Sequence, residues 1–124
     1  MAESIFATEL QIETFRAADT DTAGSTRQLI AAPASGSGLV LAVLTLNVTN
    51  TSSTASLVTI KSATNAIAYF SVKQDENVAR SWPIQAPLWC NAEEALQWTT
   101  DAALSTLYID IQGLIIPVPE LVTA

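Results

Sequence analysis

The sequence predicts an all-β fold: an antiparallel sandwich, a jelly roll or a small barrel of about eight strands. Three observations carry this. Short apolar or alternating segments recur at spacings of roughly 8–12 residues, with turn formers between them. Residues 39–48, LVLAVLTLNV, form a charge-free run with eight apolar residues among ten. No helical periodicity extends far enough to build the crossover that a parallel α/β sheet needs.

In chain order, residues 6–15 (FATELQIETF) alternate. Phe6, Leu10 and Ile12 share one row with Thr8; Glu9, Gln11 and Glu13 share the other, as in a strand with one wet face. Residues 17–25 (AADTDTAGS) are rich in turn formers and read as a loop. A second strand covers 26–32 and is closed by Pro33. The Gly-Ser stretch 34–38 then leads into the central strand, 39–48. Both of its alternate rows begin apolar, and only the row of Leu39, Leu41 and Val43 turns polar, at Thr45. That pattern predicts a strand covered on one face by the core and partly covered on the other by a second layer or another subunit.

A polar turn at 50–54 leads to 56–62 (SLVTIKS), which is expected to pair with the central strand as a hairpin or meander. Residues 66–73 follow after a turn at 63–65, and 74–77 is again turn-like. The extended segment 78–85 contains Pro83, which marks a sheet edge or a strand end. Residues 86–91 read as an ordered loop carrying Trp89, and 92–95 as one helical or 3₁₀ turn. A short strand at 95–100 puts Leu96 and Trp98 on one side. In the last strand, 104–116, Leu107, Ile109 and Ile111 oppose Tyr108, Asp110 and Gln112, and Gly113 marks a bulge. The length, 124 residues, suits one domain with a short N-terminal arm (about 1–5) and an extended C-terminal tail (about 117–124).

Apolar residues make up 49% and charged residues only 14%, so the surface must be largely uncharged. A freely diffusing monomer usually carries more charge. The composition suits packing against copies of itself or against a larger particle; a neutral secreted β-domain fits it too. The net charge of −7, with five basic side chains and no basic stripe, disfavours nucleic acid and anionic membrane as partners. No apolar run approaches the length of a membrane span. The opening MAESIFATEL has Glu3 and no basic n-region, unlike a secretory signal. Asn47 and Asn50 begin glycosylation patterns that read as accidents of a Thr-rich strand end.

Catalytic chemistry has little to stand on. With no histidine, Ser-His-Asp and Cys-His systems and most zinc sites are excluded. Cys90 has no cysteine partner and reads as a buried, inert thiol. Glu93 and Glu94 are adjacent and cannot face each other across a cleft, and Glu9 and Glu13 belong to a wet row. Asp19 and Asp21 are the sole metal candidates. Oxygen ligands on alternate residues can open a calcium site, but the later glycine and glutamate of such a loop are missing, and a solvated turn is the better explanation of the pair. No enzyme activity and no cofactor are expected. Trp89 and Trp98 are expected to close the ends of the core, with Trp82 at a subunit contact.

From 27 to 117 the chain resembles small β-rich structural proteins of tailed bacteriophages. The resemblance rests on an order of pieces. The long apolar strand and its Thr/Ser turn (LAVLTLNVTNTSSTA) come first, followed by Val58-Thr59-Ile60-Lys61-Ser62. A Pro-rich link from Pro83 through Pro87 to Trp89 leads to Ala92-Glu93-Glu94-Ala95-Leu96. A last strand with Tyr108 closes the series. Glu93 departs from the pattern, for a glycine often stands there. The resemblance implies a jelly-roll-like antiparallel β-sandwich acting as a head decoration or cement protein. It would be a homotrimer on the capsid surface of the virion, made in the host cytoplasm, with a major capsid protein as partner.

The interface candidates on this reading are Val40, Leu44 and Leu46 of the central strand, Trp82 and Trp89, and the C-terminal residues Leu114, Ile115, Ile116 and Val118. The last belong to 114–121 (LIIPVPEL), which is too apolar to be left in solvent and is expected to pack on a neighbouring subunit or the shell. The acidic balance would complement basic patches on that shell, or simply prevent aggregation. The alternative function is a carbohydrate- or receptor-binding module of a tail or fibre, in which exposed tryptophans stack on sugar rings.

Overall fold

The computed structural model describes residues 13–21, 25–52, 54–101 and 106–117. Among these there is no helix. Nine strands form: β1 (Glu13–Asp21), β2 (Thr26–Ile30), β3 (Leu39–Asn50), β4 (Ser56–Ser62), β5 (Asn65–Val72), β6 (Asn77–Ser81), β7 (Leu88–Trp89), β8 (Leu96–Thr100) and β9 (Leu107–Pro117). One sheet has the order β1-β9-β3-β6, with β7 also on β3; the other has the order β2-β8-β4-β5. All pairings are antiparallel.

Strands β6 and β7 are one interrupted strand. β6 pairs with β3 from Thr45↔Ser81 to Thr49↔Asn77, and β7 continues along it at Val43↔Leu88 and Ala42↔Trp89. Between them the Trp82 N–H donates to the Leu44 carbonyl at 2.8 Å. The chain then leaves the sheet through Pro83 and returns at Pro87, because proline cannot donate to a ladder. Counted this way there are eight strands. First pairs with eighth, second with seventh, third with sixth and fourth with fifth, alternately in the two sheets, which is the jelly-roll arrangement.

Inward rows of the two sheets make the core. Val43, Leu46, Val48, Leu107 and Ile111 from one sheet meet Val58, Ile60, Leu96 and Trp98 from the other, each 0–1% exposed. Burial of each such side chain contributes about 1.5–3 kcal/mol.

Several expectations are corrected. The loop expected at 17–25 is strand as far as Asp21, because β9 offers an unbroken partner from Glu13↔Ile115 to Asp21↔Leu107. Tertiary pairing overrides the turn formers there. Residues 6–12, expected to open that strand, lie outside the described residues. β4 does not form a hairpin with β3, since the two lie in opposite sheets and the chain crosses between them after Asn50. The segment 92–95 is neither a helical nor a 3₁₀ turn: Glu93 takes φ 59°, a left-handed conformation incompatible with either helix. The bulge expected at Gly113 falls instead on β3, where Leu44 is the extra residue between Val43↔Gly113 and Thr45↔Gln112. Gly113 itself is needed for close approach. A Cβ there would lie 2.6 Å from Cζ of Phe15 and closer still to the Ala42 carbonyl oxygen.

Candidate assembly interface

Register assigns the sequence-predicted interface residues to faces. Opposed residues share a face, so Leu41, Val43, Leu46 and Val48 of β3 and Ile109, Ile111 and Ile115 of β9 point inward. Val40, Ala42, Leu114 and Ile116 belong to the opposite row, with Val40 beside Ile116 and Ala42 between Leu114 and Trp89. Together they form an apolar panel at one end of the sheet's outer face. Val40 and Ala42 are buried within it, Leu114 and Ile116 are half-buried, and Trp89 is 38% exposed. Beyond the Leu44 bulge the same face turns polar, with Thr45, Asn47, Thr49, Tyr108, Asp110 and Gln112. Of the predicted residues, the panel brings together Val40, Trp89, Leu114 and Ile116. Leu46 is an inward core residue at 1% exposure; Val40 also belongs to the core cluster, and both Ile115 and Ile116 pack against it. Leu44 is half-buried at the bulge, and Trp82 is half-buried against the core. Val118 lies outside the described residues.

The polar end holds a shallow groove of about 620 Å³. Tyr108, 46% exposed, lines it with Asn47, Thr49, Ala18 and Asp110. Asp110 accepts from Arg16 at 2.8 Å, and this hydrogen bond holds its carboxyl below the usual range. A second hollow of about 480 Å³ lies over Thr14, Arg16, Leu44 and Gln112. Sequence alternation marks Tyr108 as outward, but the groove depends on which strands flank it and had no local signal.

Asp19 and Asp21 lie on the inward row of β1, where that strand meets β2 of the other sheet. Asp19 accepts from the Arg27 guanidinium at 2.7 and 3.1 Å and from the Trp98 indole N–H at 2.9 Å. Burial pushes its carboxyl up, but the bonds from Arg27, Trp98 and the Thr20 backbone prevail and hold it below the usual range. Asp21 is 1% exposed and accepts from Ser25 and from the Thr100 hydroxyl. Both carboxylates thus hold the two sheets together along one edge. Among the described residues no group of three or more His, Cys, Asp or Glu side chains is placed to hold a metal ion. Trp98 is fully buried, whereas Trp89 lies at the surface.

Glu93 explains its own unusual backbone. Its carboxylate accepts from the Gly36 and Gly38 N–H groups, both at 2.8 Å, and these hold its carboxyl below the usual range. The side chain thereby ties the Gly-Ser loop to the end of the edge strand, although a non-glycine residue at φ 59° is strained. Nearby, Cys90 is 4% exposed. Burial, with the charge of Glu94 adding to it, pushes the thiol up to about 11 despite a hydrogen bond with Ser62.

No family model matches the chain, and no curated protein matches it in sequence. Among solved structures, the chain is similar to a protein of the Bacillus endospore appendages, described as a novel family of disulfide-linked pili. The TM-score is 0.53 at 12% identity, over 86% of this chain and 89% of that one. A chain of the virus-like particle of the extra small virus of the giant freshwater prawn Macrobrachium rosenbergii gives 0.42 at 9% identity, over 87% and 80%. The coat protein of Tobacco streak virus gives 0.36 at 12%, over 86% and 88%. The first likeness supports the fold and extends no further than the fold; the two lower scores carry no additional weight.

Proposed function

We propose that the chain is a non-enzymatic structural subunit of a virion, a homotrimer that decorates or cements the head of a tailed bacteriophage against its major capsid protein. The observation that carries this is the apolar panel on the outer face of a sheet, where Trp89 is exposed beside the half-buried Leu114 and Ile116, over Val40 and Ala42, which are already buried. Burying it between subunits would contribute about 25 cal/mol per Å² before the costs of association. The resemblance to phage structural proteins supplies the particle, and the low charge of the chain suits a protein packed among others. The endospore appendage protein shares the fold and belongs to pili that are disulfide-linked. Cys90 is buried here, so linkage of that kind has no counterpart in this cysteine.

Light scattering on the purified protein, with Trp89→Asp as the comparison, tests the reading. A mass about three times that of the chain, lost in the variant, supports a trimer built on the panel. A monomer at high concentration overturns it.

The groove beside Tyr108 favours a second reading, a sugar-binding module of a tail or fibre. An exposed ring flanked by amide, hydroxyl and carboxylate groups suits a neutral saccharide. Saturable oligosaccharide binding that Tyr108→Ala abolishes would establish it in place of the cement role.

A further inference from the structure

Four strand edges bound the two sheets, and they are not equally guarded. Exposed edges invite pairing with other chains, and proteins blunt them with charge, proline, bulges or brevity. β1 carries Glu13, Arg16, Asp19 and Asp21. β2 has five residues and includes Arg27. The β6–β7 edge carries Arg80 and is broken between Pro83 and Pro87. β5, NAIAYFSV, has no charge, proline or glycine. Its one irregularity, at Ile67, leaves Ala68 to Val72 regular against β4. Among the described residues no strand pairs with its outer side.

We propose that β5 is a second self-association surface, and that its partner is β5 of another copy, paired antiparallel about a two-fold axis. The proposal extends the self-assembly reading above by adding a contact that joins one oligomer to the next. The choice of occupant follows from charge. The chain carries −7, so most self-contacts bring like charges together. Across a two-fold axis a strand meets its own copy, so a charged strand brings two copies of each of its charges into one contact. β5 is the edge that avoids this. Opposed residues in an antiparallel pair share a face, so a two-fold axis centred on Phe70 sets Ala68 against Val72 and Tyr69 against Ser71. Inward Ala68, Phe70 and Val72 then continue the core side of one sheet into the other. Tyr69, 73% exposed, gains a neighbour on the outer face. Arg80 lies 5.4 Å from the centre of the Phe70 ring and already covers it within each copy.

Hydrogen exchange of the full chain, followed with mass by light scattering over a concentration series, tests this. The expected result is a doubling of mass with concentration. Alternate amides among residues 68–72 should then exchange about tenfold more slowly in the larger species, as protection follows the paired population. The variant Tyr69→Lys/Ser71→Lys, altered on outward-facing exposed positions, should keep the smaller mass and lose the protection. An oligomer whose 68–72 amides exchange equally at every concentration overturns the β5 contact and leaves the panel-based trimer standing. A monomer throughout overturns the trimer and this contact together. Doubling from monomer to dimer with protection at 68–72 upholds the β5 contact and removes the trimer.

Discussion

Replacing Asn50 with aspartate should unfold the junction between the sheets more severely than replacing it with alanine, and only the aspartate effect should depend on pH. Asn50 is fully buried at the point where the chain leaves β3 for the other sheet. Its amide nitrogen donates to the Thr54 carbonyl at 2.8 Å and to the Val72 carbonyl at 3.1 Å. Its amide oxygen accepts from the Ser52 N–H at 2.9 Å and from the Ser52 hydroxyl. All four hydrogen-bonding positions of the side chain are used. Alanine removes the amide's bond to the Val72 carbonyl at a buried position, at about 1–3 kcal/mol, while water can reach the loop groups; the total is about 3 kcal/mol. Aspartate keeps the shape but turns a carboxylate towards two carbonyls. An unpaired charge at a site without solvent costs several kcal/mol, so the expected loss at pH 7 is about 5 kcal/mol. Burial raises the folded-state pKa of the new carboxyl above its unfolded value of about 3.9. The folded state then binds the proton more tightly, and the penalty shrinks as pH falls through that raised pKa. Urea unfolding at pH 7 and pH 4 measures both variants, with an unchanged m-value as the control. Equal losses for alanine and aspartate at both pH values would refute the claim that the amide's two donors hold the crossing.

Three further outcomes follow from other contacts. Asp19→Asn should flatten the acid limb of stability: the lowered pKa of Asp19 makes a contribution present above about pH 4 and lost as pH falls through the folded value, which urea midpoints between pH 7 and pH 2 would read. Gly113→Ala should cost about 3 kcal/mol or more, because its Cβ meets the β3 backbone as well as the Phe15 ring, and Phe15→Leu should fail to restore the thermal midpoint. Cys90, buried and with its thiol pushed up to about 11, should react with a thiol reagent at pH 8 in denaturant and hardly at all in buffer, as absorbance would follow; rapid labelling of the folded protein would contradict its placement.

Alternation made most strands legible, since 56–62 and the row of Leu107, Ile109 and Ile111 need no tertiary information to read as half-buried. The charge-free run at 39–48 likewise marked a strand covered on both sides, and β3 does pair on both its edges, with Val40 and Ala42 buried on its outer row. What stayed hidden depends on partners far along the chain. Trp98 and Asp19 are 79 residues apart, so nothing near either announces their bond. The outward extension of β1 came from β9, which no local window contains. The panel was half legible: apolarity picked out Val40, Leu114 and Ile116, but it also picked out Leu46 and Ile115, and only register separates the two faces. The unguarded state of β5 is a property of sheet order and could not be read from its eight residues.

The acidic residues acquire a different meaning from their positions. Read as composition, a charge of −7 suggests a field for meeting basic patches on a shell. In the fold, many of these carboxylates are acceptors for the protein's own donors. Asp101 receives the Leu57 N–H and the Ser56 hydroxyl, and Glu76 receives the Lys73 N–H. Glu94 holds Ser62 and Asn91, and Glu93 clamps Gly36 and Gly38. These are loop and strand-end contacts, some to backbone N–H groups and others, as at Glu94, to side-chain hydroxyl and amide donors. A chain with few charges has thus committed a large share of them to fastening turns, and an engaged carboxylate still carries charge but is poorly placed to move towards a partner. Self-contact is therefore least opposed at the uncharged surfaces, the apolar panel and β5, where two copies can meet without setting acid against acid.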